Sequence, residues 1–515
     1  MQPRIKRLKE LRQAALSGGG QDKITKQHDR GKLTARERID LLLDPSSFTE
    51  LGMLASHGTG AFADGAVTGY GTIDGKVVSI FAQDATVAGG SIGPTHGLKI
   101  YRTLERALDM RIPFIGLYDS PGARTQKPGE GGGALGVIRE KSGSSIFYPH
   151  TQASGVIPQI SAVLGSCAGI GVYSPALTDF VFMVEKTSHM FLTGPRIVKS
   201  AMGEDVTMEE LGGARIHSQI TGLADFRMKT EKDCFEAIRK LVGLLPASYD
   251  EPAPVKSGQV DLTMDKSVED IVPEDPGKAY DMHEVIKHIV DDGDFLRVKA
   301  EFAPEIIVGF GRLGGKTVGI VANQPSVKAG SLTAESSGKQ ARFIRFCDCF
   351  NIPIILLIDT PAYMPGSVQE KAGIIKHGSK VLYTLCEAVV PRIAVVLRKA
   401  YGGGTLGMGI IQGLQTDLLF LWPNAELGVL GAEQSVELYF TDEISRSDNP
   451  TETRRKKVEE YQEKYANPFA EVSENPYIDD IIAPTETRER LFRSLQLLEN
   501  KTLYRQPKRH GNIPL

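Results

Sequence analysis

The sequence contains one long segment twice, and this internal repeat constrains the fold more than any other feature. A shift of 240 residues aligns Gly69–Pro121 with Gly309–Pro361 without a gap, and 18 of the 53 aligned positions are identical. Average residue frequencies would give only about three or four matches, and solenoid repeats are far shorter, at roughly 20 to 50 residues. The chain is therefore predicted to contain two copies of one domain, which could hold two reactants in one cleft.

Length and composition agree with two globular domains. The chain has 515 residues, whereas single cores stop growing at roughly 250 to 300 residues. Apolar residues make up 41% and charged residues 24%, and the net charge of −3 argues against nucleic-acid binding, which depends on clustered basic residues. The sequence shows neither the apolar core of a signal peptide nor a membrane-spanning run, so no membrane insertion is expected. Five cysteines in so long a chain fit a reducing compartment, which predicts a cytoplasmic location, or an organelle matrix after processing.

Both copies show the same order of predicted elements. Asp74-Gly75 and Gly314-Gly315 are signals for two-residue hairpin turns of type I′. A Gly/Ser loop, a helix and a strand that is apolar throughout come after each hairpin. Such strands indicate sheets covered by helices, so the predicted fold class is α/β. A stretch rich in Pro and polar residues before Gly258 predicts domains of residues 1–258 and 259–515.

Two glycine-rich turns follow matching strands of the two copies. They are GSCAGIG at residues 165–171 and KAYGGGTLG at residues 399–407, and the strands before them align with a shift of 233 rather than 240. Seven residues are therefore missing between strands of the second copy. Glycines at such turns allow close approach of a ligand, and two adjacent N–H groups there can stabilise an oxyanion. A tight turn with close helix packing is the alternative, which the occurrence in both copies makes less attractive.

Other candidate motifs carry less weight. Ser91 lies in GGSIG, the pattern of a hydrolase nucleophile elbow, but the second copy has AGSLT and lacks both outer glycines, which favours a structural loop. Arg124 could bind a phosphate or pair with an acid, and both alternatives stay open. His377 could line a cleft, although a core or interface histidine is favoured. The ten histidines show no spacing typical of metal ligands, so no metal is expected.

Seven longer motifs are distributed over nearly the whole chain. They are GKLTARERIDLLLD (31–44), SGVIPQI (154–160), VYSPALTDF (172–180), ELGGA (210–214), KAYGG (399–403), ANPF (466–469) and HGNIPL (510–515). Together they resemble the carboxyltransferase (β) subunits of biotin-dependent acyl-CoA carboxylases, and propionyl-CoA carboxylase β chains in particular. The resemblance implies two tandem crotonase-like (ClpP-like) domains, the first binding acyl-CoA and the second biotin.

The resemblance also implies an activity and partners. The expected reaction transfers a carboxyl group from carboxybiotin to the α-carbon of a short or medium acyl-CoA, with propionyl-CoA as the first choice. The one Met-Lys pair of this chain, Met228-Lys229, follows an arginine and not the Ala or Val of a biotin-attachment site, so the biotin carrier and the biotin carboxylase are expected as separate proteins. Similar proteins form hexamers, dimers of trimers in which the first domain of one subunit faces the second domain of another.

Site residues follow from the same resemblance. Backbone amides at Gly169-Ile170 would bind the thioester enolate, and amides at Gly403-Gly404 the ureido oxygen of biotin. The other candidates are Gly122, Ala123, Arg124 and Leu406 for the acyl-CoA, and Pro361, Ala362 and Tyr363 for biotin. The chain departs from the family pattern in three places. Ile170 replaces a glycine, Leu406 stands where propionyl-type relatives often have Asp, and Pro-Ala-Tyr replaces Pro-Gly-Phe, so the acyl chain length stays open.

Three alternatives remain at this stage. The chain could be the α subunit of a biotin-dependent acyl-CoA decarboxylase, or a transcarboxylase, because the chemistry is reversible. It could instead be a crotonase-type hydratase or a hydrolase that uses Ser91, which would act without biotin. A non-catalytic scaffold would not bind CoA thioesters tightly.

Overall fold

The chain folds into two compact units. They are Met1–Pro252 (unit 1) and Ala253–Leu515 (unit 2), whereas the sequence placed the boundary at residue 258. A computed structural model describes residues 1–56, 62–124, 146–411 and 413–514.

Unit 1 is built on a mixed sheet. Its described strands are β1 (Thr49–Leu51), β2 (Ala66–Ile73), β3 (Lys76–Gln83), β4 (Phe114–Ser120), β5 (Gln159–Ala168), β6 (Phe180–Val184), β7 (His189–Phe191) and β8 (Phe226–Met228). The strand order is β1-β2-β3-β4-β5-β6-β8, with β7 beside the end of β5. The first three strands pair antiparallel and the others parallel.

Unit 2 has the same topology. Its described strands are β9 (Leu296–Val298), β10 (Ile306–Leu313), β11 (Lys316–Asn323), β12 (Ile354–Thr360), β13 (Arg392–Tyr401), β14 (Leu418–Leu421), β15 (Glu426–Gly428) and β16 (Asp480–Ile481). The order is β9-β10-β11-β12-β13-β14-β16, with β15 beside β13. Each strand of unit 1 thus has a counterpart at the same place in unit 2, which confirms the predicted duplication of an α/β domain.

Strand pairing confirms both shifts found in the sequence. Ile115 and Ile355 are equivalent under the shift of 240, and they lie opposite Ile160 and Ile393, which are related by 233. The seven missing residues therefore fall between the paired strands, and the sheet keeps its register.

The two hairpins adopt the predicted turn. Asp74 and Gly75 have φ of 50° and 81°, and Gly314 and Gly315 have φ of 58° and 82°. Two successive residues with positive φ define the type I′ turn, whose twist matches that of the flanking strands. The turns pin the register of β2 with β3 and of β10 with β11.

Helices cover the sheets. In unit 1 they are α1 (Gln2–Leu16), α2 (Gln21–His28), α3 (Ala35–Leu42), α4 (Pro94–Met110), α5 (Phe147–Ala153), α6 (Tyr173–Ala176), α7 (Pro195–Met202), α8 (Met208–Gly212) and α9 (Glu231–Leu244). In unit 2 they are α10 (Met282–Ile289), α11 (Ala334–Cys349), α12 (Ser367–Lys371), α13 (Ile374–Glu387), α14 (Gly403–Gly407), α15 (Ala432–Ser445), α16 (Pro450–Tyr465), α17 (Pro468–Glu474) and α18 (Thr487–Leu497). Short 3₁₀ or π turns span Phe62–Gly65, Ala88–Gly90, Gly169–Val172, Ile216–Ile220, Lys266–Asp270, Asp291–Gly293, Lys328–Gly330 and Pro484–Glu486.

Each unit has its own apolar core between sheet and helices. In unit 1, Ile100 and Leu104 of α4 pack on Phe81 and Phe114 of the sheet. In unit 2, α10 and α18 cover the sheet around Trp422. The five cysteines are free thiols. Of the helices in the described ranges, none is long and apolar enough to cross a membrane.

Candidate functional site

A turn at the carboxyl end of β5 carries the first pair of predicted site residues. β5 ends at Ala168, Gly169 has a φ of +62°, and a 3₁₀ turn over Gly169–Val172 leads into α6. The segment Gly169–Gly171 is called the first turn below. Among the described residues, no acceptor takes the N–H groups of Gly169 and Ile170. Free, adjacent N–H groups at a strand end are the donors that binding of a negatively charged oxygen requires.

Gly122 supports the first turn from the neighbouring strand. Its φ is +101°, and a Cβ atom placed on it would lie 2.5 Å from the carbonyl oxygen of Ala168. The carbonyl of Gly122 accepts a hydrogen bond from the N–H of Ile92 at 2.8 Å, and Ala123 pairs with Ile92 in an isolated bridge. Only glycine lets the backbone after β4 approach the end of β5 so closely. The structure thus brings Gly122 and Ala123 to the first turn.

A small cavity lies beside the first turn. Its volume is about 40 Å³, and its walls include Ile100, Phe147, Ile170, Gly171 and Ser174. This volume has room for roughly three water-sized groups. Because most of the wall is apolar, the cavity suits a short alkyl group.

A buried chain of hydrogen bonds closes one side of this cavity. The Gln159 side-chain amide donates to the carbonyl of His150 at 3.1 Å, so its oxygen accepts from His150 Nδ1 at 2.7 Å. His150 Nε2 therefore accepts from the Ser174 hydroxyl at 2.8 Å, and the Tyr118 hydroxyl lies 2.8 Å from the same oxygen. Burial lowers the pKa of His150 to about 4. A base with so low a pKa is poorly matched to activating Ser174 near neutral pH, so the chain is a wall of the cavity rather than a nucleophile.

Arg124 pairs with an acid, which is one of the two alternatives left open by the sequence. Its guanidinium lies 2.6 Å from Asp64 Oδ1, and it donates to the hydroxyl of Ser91 at 3.0 Å and to the carbonyl of Ser91 at 2.8 Å. Three of its donor contacts are thus used to hold the loop before α4. Arg124 lies beside the first turn through this loop, with its charge already compensated.

Ser91 has the environment of a structural residue. Its hydroxyl donates to the carbonyl of Ala88 at 2.7 Å, and its φ is −66°, an ordinary extended value. In both copies three successive residues before the serine have positive φ; they are Ala88, Gly89 and Gly90 in unit 1, and Lys328, Ala329 and Gly330 in unit 2. The same backbone without the elbow glycines shows that this is a loop geometry, not a nucleophile elbow.

A second turn occupies the equivalent place in unit 2. Gly402 has a φ of +47°, its N–H donates to the carbonyl of Gly428 at 2.8 Å, and α14 begins at Gly403. The segment Gly402–Gly404 is called the second turn below. Gly403 and Gly404 open the helix, so their N–H groups have no intrahelical acceptor, and none is found elsewhere in the described residues.

The loop after β12 packs on the second turn. The carbonyl of Ala362 accepts from the N–H of Leu332 at 3.0 Å, and Tyr363 forms an isolated bridge with Leu332. A Cβ atom placed on Gly403 would lie 3.0 Å from the ring of Tyr363, and one on Gly407 would lie 2.8 Å from its hydroxyl. Burial raises the pKa of Tyr363. The structure therefore brings the loop from Pro361 to Tyr363 and the second turn together within unit 2.

Leu406 and His377 complete the predicted residues of unit 2. Leu406 lies on α14, and its side chain is 37% exposed. His377 lies on α13, with Nδ1 buried and without a partner in the described part of the chain. Within the described residues, no group of three or more His, Cys, Asp or Glu side chains could hold a metal ion. The first turn is thus flanked by a mostly apolar cavity in unit 1, and the second turn by the ring of Tyr363 in unit 2.

The sequence reasoning missed His150, Ser174 and Tyr118, which shape the cavity. No motif marks them, because they lie on three different elements and meet only in the fold. VYSPALTDF contains Ser174, but only as part of a family motif.

The chain is similar to known proteins over nearly its whole length. A family model described as the carboxyl transferase domain matches residues 26–513. The chain is 46% identical to the propionyl-CoA carboxylase carboxyltransferase subunit of Haloferax mediterranei, over 100% of both chains. It is 43% identical to the methylmalonyl-CoA decarboxylase subunit alpha of Veillonella parvula, over 100% of this chain and 99% of that protein. The crystal structure of the transcarboxylase 12S hexamer, with methylmalonyl-coenzyme A and methylmalonic acid bound, superposes with a TM-score of 0.93 at 44% identity, covering 100% of this chain and 98% of that one.

Proposed function

The chain belongs to the carboxyl transferase domain family, and from this premise we propose that it is the biotin-dependent component that carboxylates a short acyl-CoA. It is an enzyme that transfers a carboxyl group to an acyl-CoA, and propionyl-CoA fits best among the acyl groups. We assign the acyl-CoA to unit 1 and biotin to unit 2. The observation that supports two reactant sites most is the pair of equivalent turns, one in each unit, whose N–H groups have no acceptor among the described residues.

The first turn would stabilise the negative charge that develops on the thioester oxygen. When the α-proton leaves, charge builds up on that oxygen, and the N–H groups of Gly169 and Ile170 are the donors available there. Oxyanion donors of this kind contribute on the order of 3 kcal/mol each to transition-state stabilisation. No charged side chain is needed, because backbone donors are fixed before the reaction begins.

The second turn would orient biotin. Carboxybiotin supplies the carboxyl group and, once this is released, a basic ureido nitrogen. The N–H groups of Gly403 and Gly404 are suited to a ureido oxygen, since both are free donors and the ring of Tyr363 fixes the wall beside them. The loop at Pro361, Ala362 and Tyr363 would thus position biotin, as its contacts with the second turn suggest.

The cavity beside the first turn supports a short acyl chain. With about 40 Å³ it accommodates an ethyl or similar group, and Ile100 and Phe147 are among the apolar residues that line it. The direct test is incubation of the protein with acyl-CoAs of two to six carbons and free carboxybiotin, followed by mass spectrometry of the products. We expect carboxylated propionyl-CoA as the main product and little product from hexanoyl-CoA. Absence of carboxyl transfer to every acyl-CoA would contradict the proposed function.

Leu406 offers a test of acyl selection. The family resemblance implies that unit 2 of one subunit faces unit 1 of another, so Leu406 would border the acyl group bound by a neighbouring subunit. A Leu406→Asp variant is then expected to raise the ratio of kcat/KM for propionyl-CoA to that for butyryl-CoA by about 10-fold, because a carboxylate disfavours one further methylene. Leu406→Met, which keeps the apolar character, should leave the ratio near that of the wild type. Steady-state kinetics with both acyl-CoAs give the ratios. An unchanged ratio in Leu406→Asp would remove Leu406 from the acyl pocket.

The partners and the assembly are part of the same proposal. Transfer from a carrier requires a biotin carrier and a biotin carboxylase as separate proteins, working in the cytoplasm or an organelle matrix. A hexamer is proposed because the 12S relative forms one. Exposed apolar side chains on both units are consistent with oligomer contacts; they include Leu192, Ile197, Met202, Val429, Leu438 and Tyr439.

The reverse reaction is the second candidate. It is favoured by the similarity to a methylmalonyl-CoA decarboxylase subunit and to the 12S subunit of a transcarboxylase. Both directions use the same two turns, so kinetics of the isolated chain cannot separate them. Purification of the native complex would: a biotin carboxylase as partner indicates carboxylation, whereas a membrane subunit indicates decarboxylation.

A further inference from the structure

Two buried aspartates occupy equivalent positions just before the proposed binding segments. Asp119 is the last but one residue of β4 and Asp359 the last but one of β12, and they are related by the shift of 240. They are 3% and 0% exposed. The main chain at both positions is tightly packed, since a Cβ atom placed on Gly90 or Gly330 would lie 2.3 or 2.4 Å from the aspartate's carbonyl oxygen.

Both aspartates lie where the pairing between two parallel strands is interrupted. In unit 1 the partner of β4 moves from Val163 at Tyr118 to Cys167 at Ser120, so β5 bulges opposite Asp119. Unit 2 repeats this irregularity opposite Asp359, where the partners of β12 move from Val396 to Ala400. A bulge bends the strand that carries it, and a bulge next to an active site changes the direction of the residues after it. Here each bulged strand continues into a turn whose N–H groups lack an acceptor in the described part of the chain.

The carboxylates fill the interruption in the ladder. In unit 2, Asp359 Oδ1 accepts the backbone N–H of Lys399 at 3.3 Å, a donor that the bulge takes out of the ladder. In unit 1, Asp119 lies against the bulge so closely that a Cβ atom on Gly165 would be 2.0 Å from its Oδ1. In unit 2 the carboxylate thus holds the bulged strand by a hydrogen bond about four residues before the turn, whereas in unit 1 it contacts the bulge at Gly165.

In unit 1 the cations that pair with the aspartate come from a distant part of the chain. Lys32 Nζ lies 2.8 Å and Arg38 Nη1 3.1 Å from Asp119 Oδ2, and the Gln27 side chain donates to the same oxygen at 2.9 Å. Arg38 also donates to the carbonyl of Leu164, inside the bulge, at 3.1 Å. The cations therefore come from the segment before β1.

Unit 2 takes its cations from the bulge itself. Arg398 Nε donates to Asp359 Oδ2 at 3.0 Å, and Lys399 Nζ lies 3.2 Å from Oδ1. Lys399 also donates to the carbonyl of Pro276 at 2.8 Å. Arg398 is equivalent to Gly165 of unit 1 under the shift of 233. The carboxylate is thus retained in both copies, while its cations have entirely different origins.

We propose that Asp119 and Asp359 are positioning residues, each of which fixes the path of a bulged strand so that the following turn presents its N–H groups to one reactant. Asp119 acts on the first turn and the acyl-CoA, and Asp359 with Lys399 acts on the second turn and biotin. A buried ion pair is a weak source of stability compared with apolar packing. Retention of the carboxylate with two unrelated sets of cations fits a geometric role at the bulge better than a role in stability alone. This assignment of reactants rests on the proposed function.

The test measures two KM values in each of two variants. The full chain is assayed for biotin-dependent decarboxylation of methylmalonyl-CoA with free biotin. Asp359→Asn is expected to raise the KM for biotin about 10-fold or more and to leave the KM for methylmalonyl-CoA within about 2-fold. Asp119→Asn should do the reverse. A general loss of folded protein would lower kcat but would not move one KM selectively.

Matched controls come from the opposite ends of the sheets. Asp44 and Asp291 also bind an arginine, and each accepts hydrogen bonds from the amides of a hairpin turn. Asp44→Asn and Asp291→Asn should therefore lower stability but leave both KM values unchanged. If the Asp119 and Asp359 variants raise both KM values together, or if the controls show the same selectivity, the positioning role is wrong.

Lys399 provides a second measurement should Asp359→Asn fail to fold. Lys399→Met keeps the pair of Asp359 with Arg398 and is expected to raise the KM for biotin, whereas Lys399→Arg should retain a wild-type value. Wild-type KM values for both substrates in Lys399→Met would overturn the role of unit 2. Absence of biotin-dependent decarboxylation in the wild type would instead contradict the proposed function, so the two failures can be told apart.

Discussion

A Gly122→Ala variant is expected to lose about 100-fold or more of kcat/KM for the acyl-CoA. The added Cβ would lie 2.5 Å from the carbonyl oxygen of Ala168, and the φ of +101° strains any residue but glycine. The clash is with a backbone oxygen and the strain lies in the backbone of residue 122 itself, so no side chain can move to relieve either. The chain after β4 must therefore move away from the first turn. A displacement of about 1 Å near reacting groups can cost about 100-fold in rate. Carboxyl transfer from carboxybiotin to propionyl-CoA measures the effect.

The control for Gly122→Ala separates strain from displacement. Gly203→Ala also introduces a side chain at positive φ, +72°, but nothing lies within 4 Å of the new Cβ. It should unfold at a slightly lower temperature and retain wild-type kcat/KM. Circular dichroism shows whether Gly122→Ala is folded. A folded Gly122→Ala enzyme with near wild-type activity would show that close approach of the two strand ends is not needed for catalysis.

The fold could be predicted because many of the residues repeated in the two copies determine local structure, such as turns. Asp74-Gly75 and Gly314-Gly315 determine the hairpins, and their positive φ values are those of the predicted turn. The change of shift from 240 to 233 places the missing residues in a connection rather than a strand. The repeat gave information that a single copy lacks, since glycines present in both copies indicate positions where the backbone requires glycine.

The packing around the strand ends could not be predicted from local patterns. Lys32 and Arg38 reach Asp119 across more than 80 positions of sequence, and nothing in their neighbourhood indicates this contact. The internal repeat also hides the similarity of the two aspartate sites. Gly165 and Arg398 occupy equivalent positions, but Gly165 leaves room for the Asp119 carboxylate, whereas Arg398 pairs with Asp359. Side-chain partners brought together by tertiary structure are invisible to periodicity.

The site was only partly readable from the sequence for a related reason. The two turns were found because glycine reports backbone conformation directly. Arg124 was ambiguous, since a guanidinium serves equally as a phosphate ligand or as the partner of a carboxylate, and only the fold places Asp64 beside it. The chain of His150, Ser174 and Tyr118 needed three elements to meet.

The largest effect on stability is expected from Trp422→Ala. Trp422 is the single tryptophan of the chain, is 1% exposed and lies in the core of unit 2. Its removal should lower the free energy of unfolding by about 3 to 5 kcal/mol, because a large cavity remains in a close-packed core. Urea unfolding followed by circular dichroism, at fixed protein concentration, gives the difference.

One further variant separates the contribution of the Trp422 hydrogen bond from that of its packing, and a second serves as a surface control. The indole N–H of Trp422 donates to the hydroxyl of Thr487 at 2.9 Å, and Thr487 is fully buried. Thr487→Val removes the acceptor but keeps the shape, so it should cost about 1 to 3 kcal/mol. Phe469→Ala, at a position 65% exposed, should change stability by no more than about 0.5 kcal/mol. If Thr487→Val destabilises the protein as much as Trp422→Ala does, the hydrogen bond and not the packing of the indole ring holds α18 on the sheet of unit 2.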